Sequence, residues 1–86
     1  MPSFLVETYL SRAETGERSA REARARLAAA GDTRVRYERS IHVPEDEICF
    51  FVFDAPTARD AALAAQRAGL DAFRVVEAIS SEKEEG

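Results

Sequence analysis

Apolar residues alternate with polar ones in some stretches of the chain and recur every three or four residues in others. Ser3 to Leu10 (SFLVETYL) is rich in strand-forming residues and partly alternating, which predicts a first strand. Glu17 to Ala30 carries no internal Pro or Gly and is rich in alanine and arginine, so the spacing predicts a helix. Its expected inner stripe is Ala20, Ala23, Leu27 and Ala30. The pairs Glu14–Arg18, Glu17–Arg21 and Glu22–Arg26 stand four apart in the favourable order, and Gly31 closes the helix. Thr33 to Val43 sets Val35, Tyr37 and Ile41 against Arg34, Arg36, Glu38, Ser40 and His42, the pattern of a half-exposed strand. Pro44-Glu45-Asp46-Glu47 reads as a turn. Ile48 to Phe53 (ICFFVF) is a continuous apolar run, as expected of a central strand. Thr57 then caps a second helix, with Asp60 three residues on and an inner stripe of Ala58, Ala62 and Ala65. Gly69 ends that helix, and Phe73 to Ile79 is the last strand.

The order strand, helix, strand, strand, helix, strand predicts an α+β ferredoxin-like βαββαβ sandwich. Four antiparallel strands would carry both helices on one face, with the first and third strands central. Residues 1–79 make one domain, followed by a flexible acidic tail at 80–86. The opposite sheet face would be open, and an apolar central strand needs a cover there. A second subunit packed sheet to sheet is the simplest one, so a homodimer enclosing a cavity is expected.

Composition strengthens that expectation. Hydrophobic residues are 45% of the 86, but 16 of them are alanine, which buries little area. A domain this small is already marginal, and subunit contacts would add stability. The net charge is −4, which argues against a nucleic-acid or anionic-membrane partner. Phe50-Phe51-Val52-Phe53 has some likeness to the signature of RNA-recognition motifs, but Asp46-Glu47 stands where a basic start is needed. No apolar run reaches the ~20 residues of a membrane span. Met1-Pro2-Ser3 opens no secretory signal, and one cysteine suits a reducing compartment, so a cytoplasmic location is expected.

Few residues offer chemistry. Cys49 reads as a small buried hydrophobe, or as a soft metal ligand or thiolate nucleophile. His42 is the one histidine, and it reads as a strand-end residue or as a base or metal ligand beside the turn carboxylates. Glu7 and Glu77 each interrupt an apolar strand. First and fourth strands are neighbours in this fold, so the two could meet on the open face beside Tyr9, their pKa values pushed apart. Pairing with Arg36, Arg39 or Arg74 is the alternative. The expected cavity lining is Glu7, Tyr9, Cys49, Phe51 and Glu77, with His42 and Cys49 as the metal candidates. Phosphate-loop, CxxC, HExxH and GxSxG motifs are absent.

Several short strings together resemble a family of small, mainly actinobacterial proteins, largely of unknown function. They are Phe4-Leu5-Val6-Glu7, Cys49, Ala55-Pro56-Thr57, Ala68-Gly69 and Val75-Val76-Glu77-Ala78. The best described type is a nickel-binding dimer with a ferredoxin-like fold. The resemblance implies fold and dimer, and it raises nickel as a cofactor. The nickel-binding type carries histidines near the end of its first strand, where this chain has Thr8 and Tyr9. A dimeric protein binding a small molecule or transition metal is therefore expected. A cofactor-free isomerase or monooxygenase-like enzyme, with a buried carboxylate as base, and an accessory subunit for a partner protein stand beside it.

Overall fold

A computed structural model of the chain describes residues 1–14 and 16–79, so the expected tail at 80–86 lies outside the described residues. The elements are β1 (Ser3–Tyr9), α1 (Glu17–Ala30), β2 (Arg36–Val43), β3 (Ile48–Asp54), α2 (Ala58–Arg67) and β4 (Arg74–Ala78). A short 3-10 turn, Pro44–Asp46, precedes β3. The strands form one antiparallel sheet in the order β2-β3-β1-β4. This is the ferredoxin-like α+β architecture that the element order predicts.

Strand periodicity divides the side chains between two faces. Phe4, Val6 and Thr8 of β1 and Cys49, Phe51 and Phe53 of β3 are buried on the inner face, which the helices cover. Leu10, Leu70 and the helix alanines Ala25, Ala29, Ala61, Ala64 and Ala65 complete that core. Thr8 is polar but satisfied: its Oγ1 donates to the Cys49 carbonyl at 2.9 Å and accepts from Arg21 at 3.3 Å. Ser3, Leu5, Glu7 and Tyr9 lie on the outer face, opposite Asp54, Val52, Phe50 and Ile48.

Helix α1 packs on a face other than the expected one, and α2 buries only Ala65 of its expected stripe. Ala20, Ala23, Leu27 and Ala30 of α1 are all exposed, Leu27 at 76%, and Ala25 and Ala29 are buried instead. Alanine covers every side of this helix, so hydrophobicity cannot orient it. Polar contacts do: Glu22 accepts from Tyr37 Oη at 3.1 Å and from Ser40 Oγ, and Arg21 donates to the Tyr9 carbonyl at 2.9 Å. Glu22 is thereby drawn to β2. Glu17–Arg21 forms as expected at 2.9 Å. In α2 the buried residues are Ala61, Ala64 and Ala65, so Ala58 and Ala62 face outward. Thr57 caps α2 by accepting from the Asp60 amide at 3.1 Å. Gly69 follows α2 with φ +67, a left-handed turn suited to glycine.

The second strand departs from simple alternation. Tyr37 pairs with Phe53 but Arg39 pairs with Val52, so Glu38 is an extra residue, a β-bulge. Before it, Tyr37 faces the helices. After it, Ser40 and His42 do, and Ile41 emerges on the outer face, 40% exposed. The strict alternation expected across Thr33 to Val43 fails at this point.

Candidate functional site

The outer face of the sheet is apolar across its middle. Leu5 of β1, Phe50 and Val52 of β3, Ile41 of β2 and Val76 of β4 share it by register. Val52 is buried even there, and Leu5, Phe50 and Val76 are half-buried.

Charged residues frame this stripe. Glu7 lies on the outer face, opposite Arg74, whose Nε is 3.6 Å from its carboxylate. Glu77 pairs with Phe4 and so points to the inner side of the sheet. The expected Glu7–Glu77 pair does not form, because the register puts the two carboxylates on opposite faces; the arginine alternative holds for Glu7. Tyr9 is on the outer face and 60% exposed, donating to Glu47 at 2.8 Å. That hydrogen bond and the charge of Glu47 raise the Tyr9 pKa.

A carboxylate pair does exist on the outer face, between other residues. Glu38, at the bulge, and Asp54, at the end of β3, are close enough to hydrogen-bond when one of them is protonated. Ser3 Oγ donates to Asp54 at 2.7 Å, and Arg36 approaches Glu38 at 3.3 Å. The hydrogen bond to Asp54, desolvation and the neighbouring negative charge push Glu38 up. Burial pushes Asp54 up too, but the hydrogen bonds from Glu38 and Ser3, with Arg36 and the N-terminus, outweigh it and hold Asp54 low. One carboxyl therefore keeps a proton to higher pH while its partner stays ionised, the split that acid–base chemistry uses. The pair lines a depression of about 450 Å³ with Ser3, Leu5, Arg39 and Val52. Such a hollow can take a hydrogen-bond donor at one end and an apolar body at the other.

The remaining expected residues lie elsewhere. Phe51 and Cys49 are fully buried in the core on the inner face, so neither lines the open face. Burial raises the Cys49 thiol pKa, and the nearby Arg18 and Arg21 offset this in part. His42 pairs with Cys49 across β2 and β3, on the same inner face. Among the described residues, no three of His, Cys, Asp or Glu gather where they could hold a metal ion. Sequence reasoning missed Glu38, Asp54 and Ser3, and named Arg39 only as a pairing partner for Glu7 or Glu77. Parity along β3 could have placed Asp54 with Phe50 and Val52, but Glu38 needed the bulge.

No family model matches this chain, and neither does any curated protein. The chain is similar in structure to SCO4226 from Streptomyces coelicolor A3(2), known from its crystal structure, with a TM-score of 0.69 and 21% identity. The match covers 92% of this chain and 98% of that one. A likeness at this identity shows the fold. No helix among the described residues is long and apolar enough to cross a membrane.

Proposed function

We propose that this chain is a small cytoplasmic binding protein. In this reading its outer sheet face pairs with a second copy and closes a small ligand into the Glu38–Asp54 depression. The observation that carries it is the apolar outer face, Leu5, Ile41, Phe50, Val52 and Val76, ending at a polar hollow. The charges on that face argue for a copy of itself as the cover. Arg36, Arg39 and Arg74 stand against Glu7, Glu38 and Asp54, a balance that is self-complementary and does not select an oppositely charged partner. Strands of about seven residues, ~3.3 Å per residue and ~4.8 Å apart, give a sheet face of roughly 440 Å² in projection. A face this small predicts a weak, concentration-dependent dimer.

The ligand in this reading presents an ammonium or hydroxyl group to the carboxylates and an apolar part to Leu5 and Val52. Nickel, raised by the family resemblance, does not fit one chain. Cys49 is sealed in the core, and among the described residues no third donor joins His42. No step is routed through a metal. The split between Glu38 and Asp54 favours a second reading, a proton-transfer enzyme with Glu38 as the acid or base.

Sedimentation equilibrium across the micromolar range, with native mass spectrometry of protein purified from its own host, tests the proposal. A dimer carrying extra mass is expected. Phe50→Asp should leave a folded monomer, and Asp54→Asn should lose the ligand while keeping the dimer. A monomer at every concentration refutes the dimer, and turnover abolished by Glu38→Gln would favour the enzyme.

A further inference from the structure

A second cleft lies at the far end of the sheet, where β1 and β2 both run out, and it is independent of the outer face. It measures about 280 Å³ and is lined by Arg12, Glu14, Arg18, His42 and Pro44. We propose that it is an oxyanion site, built for a phosphate group.

Three observations converge on it. Arg12 and Arg18 make no ion pair and no side-chain hydrogen bond among the described residues, whereas Arg21, Arg24, Arg34, Arg36, Arg67 and Arg74 are each paired with a carboxylate. His42 Nε2 is fully buried and has no hydrogen-bond partner. Folded proteins satisfy nearly all such atoms, so this nitrogen is an unused polar group beside the cleft. The helix α1 also begins beside Arg18, with Gly16 at its cap position and no side chain capping it. The positive end of a 14-residue helix thus adds to the field of the two guanidiniums. Planar guanidiniums suit phosphate oxygens, which accept two donors at once. Glu14 on the rim and Glu17 in the first turn of α1 oppose this field and set a limit on affinity.

The test titrates the full chain with inorganic phosphate against chloride at matched ionic strength. Amide and imidazole chemical shifts are followed by NMR. Saturable shifts at His42, Arg18 and the first turn of α1 are expected. Arg12→Ala and Arg18→Ala should each weaken binding roughly tenfold or more, since each removes a charge-assisted contact. Glu14→Gln should tighten it. Arg59→Ala, another exposed arginine without an ion pair among the described residues, should change nothing. Methyl phosphate separates the sources: equal binding means a phosphomonoester is accepted, and exclusion means the site takes free phosphate. Shifts that are dispersed and unsaturated, or equally altered by Arg59→Ala and Arg18→Ala, reduce the effect to screening and overturn the proposal. The arginines are exposed, so their loss leaves the fold intact, and circular dichroism checks this.

Discussion

Phe50 and Phe51 are adjacent and identical, yet the sheet sends them to opposite faces. Phe51 is fully buried, its ring centroid 6.4 Å from that of Tyr37. Truncating such a residue costs the lost transfer energy and leaves a cavity, about 3–5 kcal/mol for Phe→Ala. At ~0.05–0.15 kcal/mol per residue, 86 residues hold only about 4–13 kcal/mol in total. Phe51→Ala should therefore remove a large share of the stability and lower Tm by roughly 12–40 °C. Phe50 faces outward and is half-buried, so Phe50→Ala should cost the monomer about 1 kcal/mol or less. Urea unfolding at two protein concentrations distinguishes the two. Dimerisation stabilises by mass action, so the Phe50→Ala deficit should grow with concentration while the Phe51→Ala deficit stays constant. A Phe50→Ala deficit as large as that of Phe51→Ala in dilute protein would refute the facial assignment of β3.

Three further outcomes are expected. Leu27→Ala should change stability by no more than about 0.5 kcal/mol in a thermal melt, because Leu27 is 76% exposed; a loss of core size would show α1 to be turned the other way. The Glu22 pKa is lowered by the hydrogen bond from Ser40, against desolvation, with Tyr37 and nearby arginines adding to the lowering. The unfolded chain then binds that proton more tightly, so the contribution of Glu22 is complete above the unfolded value near ~4.3 and fades as pH falls through the folded one. The stability gap between the parent and Glu22→Gln should accordingly shrink on acidification below ~4, and a gap that widens contradicts this. Cys49, buried and with a raised thiol pKa, should react with a thiol reagent only on unfolding; one fast equivalent in native buffer would count against the core placement.

The element order was legible because alternation, apolar runs and the Thr57 cap are local signals. Helix orientation was not, since an alanine-rich helix offers several equivalent stripes and Glu22 chose between them through Tyr37 and Ser40. The meeting of Glu7 and Glu77 is a question of parity. Neighbouring strands were inferred correctly, but a register with Glu77 opposite Phe4 depends on loop lengths that carry no hydrophobic signature. The Glu38–Asp54 pair was hidden for a different reason. It rests on a bulge in Tyr37-Glu38-Arg39, a stretch with no glycine to mark it.

That bulge also bears on how copies of the chain can meet. β2 is an edge strand, and its open side is irregular at Glu38 and flanked by Arg36 and Arg39. The other edge, β4, is five residues long and carries Arg74 and Glu77. Backbone-to-backbone extension of the sheet from molecule to molecule is thus discouraged on both sides. Contact through the outer face ends with two molecules, because pairing consumes the face. A chain with this little large apolar core can accordingly associate without seeding filaments, and the irregular edge guards against open-ended growth.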